Sequence, residues 1–318
     1  MAAMGEFDLI KRYFDRPELR PGPVMALGPG DDCALLDLPQ NHQLAVTSDT
    51  FVCEVHFFAD MAANQIAQRC LAASVSDLAA MGAVPAWFNL CLTLPNANPL
   101  WINDFSQGLA EQAQACSISL AGGDTTKGPL AISIHAMGWV PMGQAIIRSG
   151  AQINDVIMVS GSLGDSAAGL QIMQHQRDAQ DLLSQRYWQP TPRIELGLWL
   201  RDKATSCLDI SDGLVQDLGH IIAASGCGAD LQLQSLPLSA ALQAHVPLDQ
   251  AHDYALNGGE DFELCFTLPA HQVAKALAYS QASGLPLTAI GRISSEPGCR
   301  VWDKNGALYQ APHGYQHF

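Results

Sequence analysis

Acidic residues in this sequence recur in one local context, beside Gly, Ser or Thr and near the ends of apolar stretches. The members of this group are Asp31, Asp32, Asp49, Asp77, Asp124, Asp209, Asp212, Glu260 and Asp261. Carboxylates supply the hard oxygen ligands that Mg²⁺ prefers, and Mg²⁺ completes its coordination with water and phosphate oxygens. Neighbouring glycines let the backbone approach a phosphate closely. The pattern therefore predicts Mg²⁺-dependent chemistry on a phosphoryl group.

Asp77 stands out because its helix face is otherwise small and mostly apolar. Cys70, Ala73, Ser74 and Met81 share that face by the spacing of helical neighbours. A carboxylate in such surroundings is costly unless it is paired or bound to a metal. We therefore expect Asp77 to have a functional role.

Other motifs have a structural interpretation beside the functional one. Residues 28–32 have the composition of a plain turn. Ser211 suits a helix N-cap with Asp212 in the first turn, which is compatible with metal binding. Residues 161–164 (GSLG) could cradle a phosphate or only turn the chain. A lone histidine such as His56 is more often structural than catalytic.

Several well-known catalytic signatures are missing from the sequence. It contains no G-x-x-x-x-G-K-[ST] phosphate loop, and no G-x-G-x-x-G follows an apolar strand. The protein-kinase motifs, H-E-x-x-H and G-x-S-x-G are also absent. A nucleotide site in this chain would have to use another architecture.

The charge balance restricts the classes of partner. The chain has 16 Lys and Arg against 31 Asp and Glu, a net charge of −15. Such a surface repels nucleic acid and anionic membranes, so we expect neither as a partner. It would also repel ATP unless divalent metal reverses the local sign. Part of the acidic excess is also explained as ordinary solubilising surface.

The cysteine pattern is typical of a reduced, cytoplasmic protein. Nine cysteines are scattered singly without a C-x-x-C, and several lie inside apolar runs. The first residues, MAAMGEFDLIKRYF, lack the apolar core of a signal peptide. No apolar stretch reaches the roughly 20 residues that a membrane span needs.

Strand-like and helix-like segments alternate with short loops along the chain. This alternation predicts an α/β or mixed α+β fold, and 318 residues suit two domains that meet near residues 140–152. Residues 33–38 (CALLDL), 43–49 and 86–95 are predicted as strands. The predicted helices are Glu6–Phe14, Asp60–Met81, Trp101–Cys116, Pro192–Asp202 and His271–Ser283.

Taken in order, the motifs resemble one family along nearly the whole chain. They are GDDCALL, TSDT with the following His56, SDLAAMGAVPAW, AGGDTTKGP, RSGA with a following GD, LDISDGL and NGGEDFEL. Each string alone is weak, but the ordered set is specific and is similar to the thiamine-monophosphate kinases, a branch of the aminoimidazole-ribonucleotide synthetase-like superfamily.

The resemblance implies a fold and a reaction. Residues 1–148 would form an N-terminal domain that binds metal and ATP, and its sheet would pair across a homodimer to form a barrel. Residues 149–318 would form a C-terminal α/β domain that completes the site. The enzyme would phosphorylate thiamine monophosphate with ATP to give thiamine diphosphate.

The resemblance also implies roles for individual residues. Several Mg²⁺ ions would be held by Asp32, Thr47, Ser48, Asp49, Asp77, Asp124, Asp209 and Asp212. The nucleotide would be contacted by Gly123, Asp124, Arg148 and Ser211. The catalytic set would be Asp49, Asp77, Asp124 and Asp212, and the thiamine end would face His56, Glu260 and Tyr315. The chain departs from the family pattern at Pro29, Lys127 and Pro312.

Two alternative functions share some of these features. A synthetase of the same superfamily would use the metal-binding aspartates with different substrate residues. A catalytically silent binder of nucleotide or thiamine phosphate would not need so many metal ligands. The strings SDLAAMG and NGGEDFEL favour the kinase over the synthetase.

Overall fold

The computed structural model describes residues 6–29, 31–177 and 179–309. These residues form two compact units. The N-terminal unit comprises the chain to Ala79 and from Ala83 to Gly143, and the C-terminal unit comprises Ala80–Gly82 and the chain from Gln144. Within the described ranges, no helix is long and apolar enough to cross a membrane.

The N-terminal unit is a four-stranded sheet with helices. Its elements are α1 (Glu6–Tyr13), β1 (His42–Val52), α2 (Ala63–Ala80), β2 (Val84–Leu94), α3 (Pro99–Cys116), β3 (Ser119–Lys127) and β4 (Ala131–Pro141). The strand order is β1-β4-β2-β3. Strands β2 and β3 are parallel and are joined through α3, whereas β4 is antiparallel to both β1 and β2.

Alternation along the strands gives this sheet one buried face and one more open face, which is covered in part where Trp87 packs against Met25 and Trp139. Ile132 and Ile134 of β4 are fully buried, and α2 and α3 contribute core residues such as Ile66 and Phe105. Strand β1 lies at the edge, and its side chains alternate between half-buried and exposed. The small side chains of α2 are almost all buried, as the Ala-rich segment predicts.

The C-terminal unit is built on a seven-stranded, mostly antiparallel sheet. Its strands are β5 (Val156–Ser160), β6 (Ser206–Asp209), β7 (Gly228–Gln232), β8 (Leu264–Leu268), β9 (Leu287–Ser294), β10 (Gly298–Trp302) and β11 (Leu308–Tyr309). Their order is β11-β10-β7-β9-β5-β8-β6, with β7 and β10 parallel. The helices are α4 (Asp165–His175), α5 (Leu182–Trp188), α6 (Ile194–Leu200), α7 (Leu214–Ser225), α8 (Ala240–His245), α9 (Leu248–Asn257) and α10 (Val273–Ser283).

Apolar side chains on both faces of this second sheet are buried in separate clusters. One cluster packs Val159 and Leu231 against Leu218 of α7. The other packs Met158 and Phe266 against Leu196 of α6. Burial on both faces explains the near-continuous apolar runs of β5 and β8.

Two expectations about secondary structure differ from the observed fold. The strand predicted at residues 33–38 is wrong, because this segment is irregular and makes a single bridge between Leu27 and Leu35. The helix predicted over Pro192–Asp202 is shorter, at Ile194–Leu200. The mixed α/β class of both domains is confirmed.

Candidate active site

Two aspartates predicted as metal ligands meet between β1 and α2. Thr47 and Asp49 are two residues apart on β1 and therefore lie on the same face of the sheet. The Thr47 hydroxyl donates a hydrogen bond to Oδ2 of Asp77 on α2. Burial raises the pKa of Asp49, and the charge of Asp77 raises it further, while a hydrogen bond from Ser74 opposes the shift.

The donor set of this pair fits a divalent cation. Oδ2 of Asp49 is buried and has no hydrogen-bond partner among the described residues. Two neighbouring carboxylates repel each other, and a bound cation would reverse that repulsion. Across the described ranges, no cluster of three or more His, Cys, Asp or Glu residues could hold a metal by itself. A pair suits Mg²⁺, which usually takes one or two carboxylates together with phosphate oxygens.

The Asp49 pair gives a prediction for stability. The folded-state pKa of Asp49 is raised, so the folded chain holds this proton more tightly than the unfolded chain does. Stability therefore falls as pH rises through the window above the ordinary Asp pKa, and at pH 7 the ionised group costs stability. We expect Asp49→Asn to raise the melting temperature in chelator at pH 7. A gain of ~1 kcal/mol corresponds to roughly 2–4 °C.

Scanning calorimetry in EDTA and in excess Mg²⁺ would check this expectation. Added Mg²⁺ should stabilise the unmodified chain more than the variant. An unchanged or lower melting temperature of Asp49→Asn in EDTA would show that Asp49 is not held against a repelling charge.

Ser48 lies on the opposite face of β1 from the aspartate pair. It pairs in register with His135 of β4, and its hydroxyl is 2.6 Å from Nδ1 of that histidine. The structure therefore does not bring the Ser48 side chain to Asp49 and Asp77, although Thr47 does reach Asp77.

A cleft of about 720 Å³ in the N-terminal unit gathers a second group of predicted residues. Asp31, Asp32, Gly123 and Asp124 line it, and apolar side chains including Phe14 form other parts of its wall. The three aspartates are exposed. Carboxylates beside a glycine-rich strand suit a metal-bridged phosphate.

Gly123 is required by the close approach of two strands. Its φ is 153°, and a Cβ at this position would lie 1.8 Å from the carbonyl oxygen of Leu90 on β2. Any side chain would therefore push β3 away from β2 and displace the neighbouring Asp124. The contact with β2 therefore explains why the second glycine of the AGGD motif cannot carry a side chain.

In the C-terminal unit, Asp209 and Asp212 lie where β6 leads into α7. Asp209 is the last residue of β6 and is buried, whereas Ser211 and Asp212 are half-buried. Oδ2 of Asp217 accepts hydrogen bonds from the backbone amides of Ser211, Asp212 and Gly213 at 3.0, 2.9 and 3.0 Å. Burial raises the pKa of Asp217 to about 7, although these amides lower it.

The loop that carries Glu260 packs directly on the Asp212 loop. The Glu260 amide donates to the Ser211 carbonyl at 2.8 Å, and the Phe262 amide donates to the Ile210 carbonyl at 2.9 Å. Glu260 and Phe262 both have left-handed backbone angles, with φ of 68° and 50°. Such angles are costly for residues with side chains, so the surrounding contacts must impose them.

A buried ion cluster lies immediately after this loop. Glu263 accepts hydrogen bonds from Arg186 Nη2 at 2.8 Å, from Arg193 Nε at 2.7 Å and from Ser160 Oγ at 2.5 Å. The Glu263 side chain is 1% exposed. Its charge is therefore paired by two guanidinium groups inside the unit.

The last amide of the GSLG turn and an amide at the start of α4 donate to a carboxylate within the protein. Oδ2 of Asp261 accepts from the Gly164 amide at 2.7 Å, and its Oδ1 accepts from the Ser166 amide at 3.1 Å. Asp261 is fully buried, and this burial raises its pKa to about 7 against the opposing effect of the Gly164 amide. Of the two interpretations of GSLG, this geometry favours the structural turn.

The last three predicted site residues are His56, Arg148 and Tyr315. Nδ1 of His56 accepts the Val52 amide at 3.0 Å, and its ring is edge-on to Phe51 at 6.0 Å. Arg148 is exposed and belongs to the C-terminal unit. Tyr315 lies outside the described residues.

Sequence reasoning gave no role to Asp217 or Glu263. Asp217 is an acid whose helix neighbours Leu214 and Ile221 are apolar, which is similar to the signal that singled out Asp77. Glu263 immediately precedes the apolar strand β8, where a buried charge requires a partner. Its partners, Arg186 and Arg193, are far away in the sequence and could not be assigned from spacing.

Comparison with known proteins agrees with this architecture. Residues 30–140 match the model of the AIR synthase related protein N-terminal domain, and residues 152–304 match that of the AIR synthase related protein C-terminal domain. The chain thus has the paired-domain organisation of the AIR synthase related class.

More similar proteins narrow the class to one family. Thiamine-monophosphate kinase of Escherichia coli K12 is 46% identical over 324 residues, which cover 99% of each chain. The crystal structure of thiamine-monophosphate kinase from Stenotrophomonas maltophilia K279a is 44% identical with a TM-score of 0.88, over 96% of this chain and 98% of that one. A structure of AaThiL complexed with AMPPCP and TMP is 28% identical with a TM-score of 0.77, over 98% and 96%. The chain belongs to the thiamine-monophosphate kinase family.

Proposed function

We propose that this chain transfers the γ-phosphoryl group of ATP to thiamine monophosphate and so forms ADP and thiamine diphosphate. The observation that carries the proposal is the half-buried Asp49–Asp77 pair, in a chain 46% identical along its length to a curated thiamine-monophosphate kinase. The AaThiL complex with AMPPCP and TMP supports both substrates. This assignment favours the kinase over a synthetase or a silent binder.

The acidic residues would hold Mg²⁺, which would neutralise phosphate charge and align the two substrates. Asp49 and Asp77 would form one ligand pair, with Thr47 fixing the Asp77 carboxylate. The remaining proposed ligands are Asp32, Asp124, Asp209 and Asp212. Ser48 is not retained among the side-chain ligands, because its hydroxyl faces His135 on the opposite side of β1. Gly123, Arg148 and Ser211 would contact the nucleotide, while His56, Glu260 and Tyr315 would face the thiamine end.

The acceptor needs little help from a general base. The second pKa of a phosphomonoester is about 6, so its terminal oxygen is already ionised near neutral pH. The task of the protein is then to position two anionic groups in line and to exclude water. The Asp49–Asp77 pair would set the charge at the site, and the Gly123 backbone would let a phosphate approach β3. We propose direct transfer without a phosphoenzyme.

The open face of the N-terminal sheet supports a homodimer. Exposed Leu44 and Val46 on β1 lie beside half-buried Trp139 and Met137 on β4 in the same register. Apolar residues on an exposed edge strand mark an interaction surface, and we propose a second copy of the chain as the partner. Light scattering should then give about twice the chain mass of 34.0 kDa, and a monomer at micromolar concentration would contradict this.

We place the enzyme in the cytoplasm, without nucleic-acid or membrane partners. None of the nine cysteines, all of which lie in the described ranges, forms a disulfide bond, as expected in a reducing compartment. The net charge of −15 disfavours binding to nucleic acid and to anionic membranes.

The reaction can be tested with the purified chain, Mg²⁺-ATP and thiamine monophosphate. We expect ADP release and thiamine diphosphate by chromatography, with little release when thiamine or an aminoimidazole ribonucleotide precursor replaces the acceptor. Direct in-line transfer predicts inversion at a chiral γ-phosphorus. If the enzyme turned over a different acceptor and not thiamine monophosphate, the substrate assignment would be contradicted. Net retention of configuration at the γ-phosphorus would contradict direct transfer.

A further inference from the structure

The loop between β6 and α7 is wrapped around a single carboxylate oxygen. Three consecutive amides, those of residues 211–213, donate to Oδ2 of Asp217 at 2.9–3.0 Å. Consecutive amides that converge in this way form an anion-binding concavity, of the kind that often holds a phosphate. Here a side chain of the same protein occupies it.

This arrangement determines what the loop can offer to a ligand. Because Asp217 takes the three amides, the loop presents the side chains of Ser211 and Asp212 instead of its backbone. Gln216 Nε2 lies 3.3 Å from Asp212 Oδ2 and orients that carboxylate from the first turn of α7. Asp217 is 4% exposed and lies inside the unit.

The same contacts extend to the neighbouring loop. The Ser211 carbonyl accepts the Glu260 amide, so a shift of residues 211–213 would also move Glu260. Gly213 has a φ of 118°, and a Cβ there would lie 2.8 Å from the Asn257 carbonyl carbon. The turn is therefore confined between the Asp217 carboxylate and the 257–260 segment.

We infer that Asp217 is a positioning residue, which fixes the 211–213 loop so that Asp212 meets the metal–nucleotide complex without rearrangement. The inference rests on the proposed function, because it takes Asp212 as a metal ligand. Asp217 itself contacts neither metal nor substrate. One oxygen of Asp217 accepts all three amides, and these hydrogen bonds are strongest when the carboxylate is ionised.

The test compares Asp217→Asn with the matched control Asp155→Asn. Asp155 is also a buried carboxylate of this unit, and it accepts the backbone amide of Gln152 at 2.9 Å. It lies just before the first residue of β5 and makes no hydrogen bond to residues 211–213 among those described. Asparagine keeps the size of the side chain and removes its charge. Thermal melts and circular dichroism would establish that both variants fold.

Two readouts separate positioning from a general loss of stability. In the protein without ligands, hydrogen exchange at residues 211–213 should be faster in Asp217→Asn and unchanged in Asp155→Asn. In the enzyme assay, we expect the Mg²⁺ concentration for half-maximal activity to rise about 10- to 100-fold in Asp217→Asn, the range for residues that orient metal ligands. The kcat at saturating Mg²⁺ should change much less.

Several outcomes would overturn the inference. Normal exchange and normal Mg²⁺ dependence in Asp217→Asn would do so, as would equal shifts in Asp155→Asn. If Asp217→Asn fails to fold, hydrogen exchange in the unmodified chain tests the inference instead. Amides of residues 211–213 that exchange without protection would show that Asp217 does not hold them. Wild-type Mg²⁺ dependence in Asp212→Asn would instead contradict the proposed metal role of Asp212, independently of the exchange result.

Discussion

Replacing Asp77 with asparagine is expected to lower phosphoryl transfer by on the order of 10²–10³-fold, the loss that follows removal of one preorganised electrostatic group. The fold should persist, because the amide oxygen of the introduced asparagine could still accept the hydrogen bond that the Thr47 hydroxyl now gives to Asp77. What disappears is the second negative charge beside Asp49. Steady-state ADP release at saturating Mg²⁺, with circular dichroism for the fold, measures both effects.

Ser76→Ala provides a matched control on the same helix. The Ser76 hydroxyl is buried and has no hydrogen-bond partner within the described part of the chain, so its removal should leave activity unchanged. Activity of Asp77→Asn close to that of Ser76→Ala, at saturating Mg²⁺, would show that Asp77 is structural.

Replacing Glu263 with alanine is expected to destabilise the protein by about 3–5 kcal/mol, the typical cost of breaking a buried ion pair from one side. Arg186 and Arg193 would lose the carboxylate that now accepts from both. Their guanidinium charges would remain in a site where Glu263 is only 1% exposed. Urea denaturation, followed by circular dichroism, would show a lower midpoint and report the loss.

The Arg300–Asp230 pair offers a comparison within the same unit. Arg300 donates to both carboxylate oxygens of Asp230, from Nε at 2.8 Å and from Nη2 at 2.9 Å. The two side chains are 27% and 31% exposed, so solvent reaches this pair. Arg300→Gln should therefore cost about 1 kcal/mol or less. Equal small losses in the two variants would show that solvent reaches Glu263 and screens its charge.

Local sequence patterns were enough to predict the longest elements. The Ala-rich segment predicted as a helix over Asp60–Met81 forms α2 over Ala63–Ala80, because small apolar residues at helical spacing suit a buried helix. The apolar residues 33–38 form no strand, since a strand needs a partner that local sequence cannot specify. Short helices such as α8 were not predicted, because six residues carry too little periodicity.

Only part of the candidate site could be predicted from the sequence, because most of its contacts join residues that are not neighbours on one element. Asp77 could be singled out because its own helix neighbours are small and apolar, and the structure places it beside Asp49. The meeting of Asp217 with residues 211–213 depends on how α7 begins after the turn. The meeting of Glu263 with Arg186 and Arg193 depends on long-range packing. Contacts of this kind follow from tertiary structure and leave no fixed spacing in the sequence.

Strand β1 also has a consequence for the behaviour of the isolated chain. It is an 11-residue edge strand with exposed Leu44 and Val46. Long exposed edges are templates for aggregation unless they are covered or carry charges. In the proposed homodimer, a second copy of the chain would cover this edge and so protect the protein from aggregation. Dilution would dissociate the two copies and expose the edge again. Solubility and folding stability would then depend on protein concentration, because the fraction of chains with a covered β1 rises with concentration.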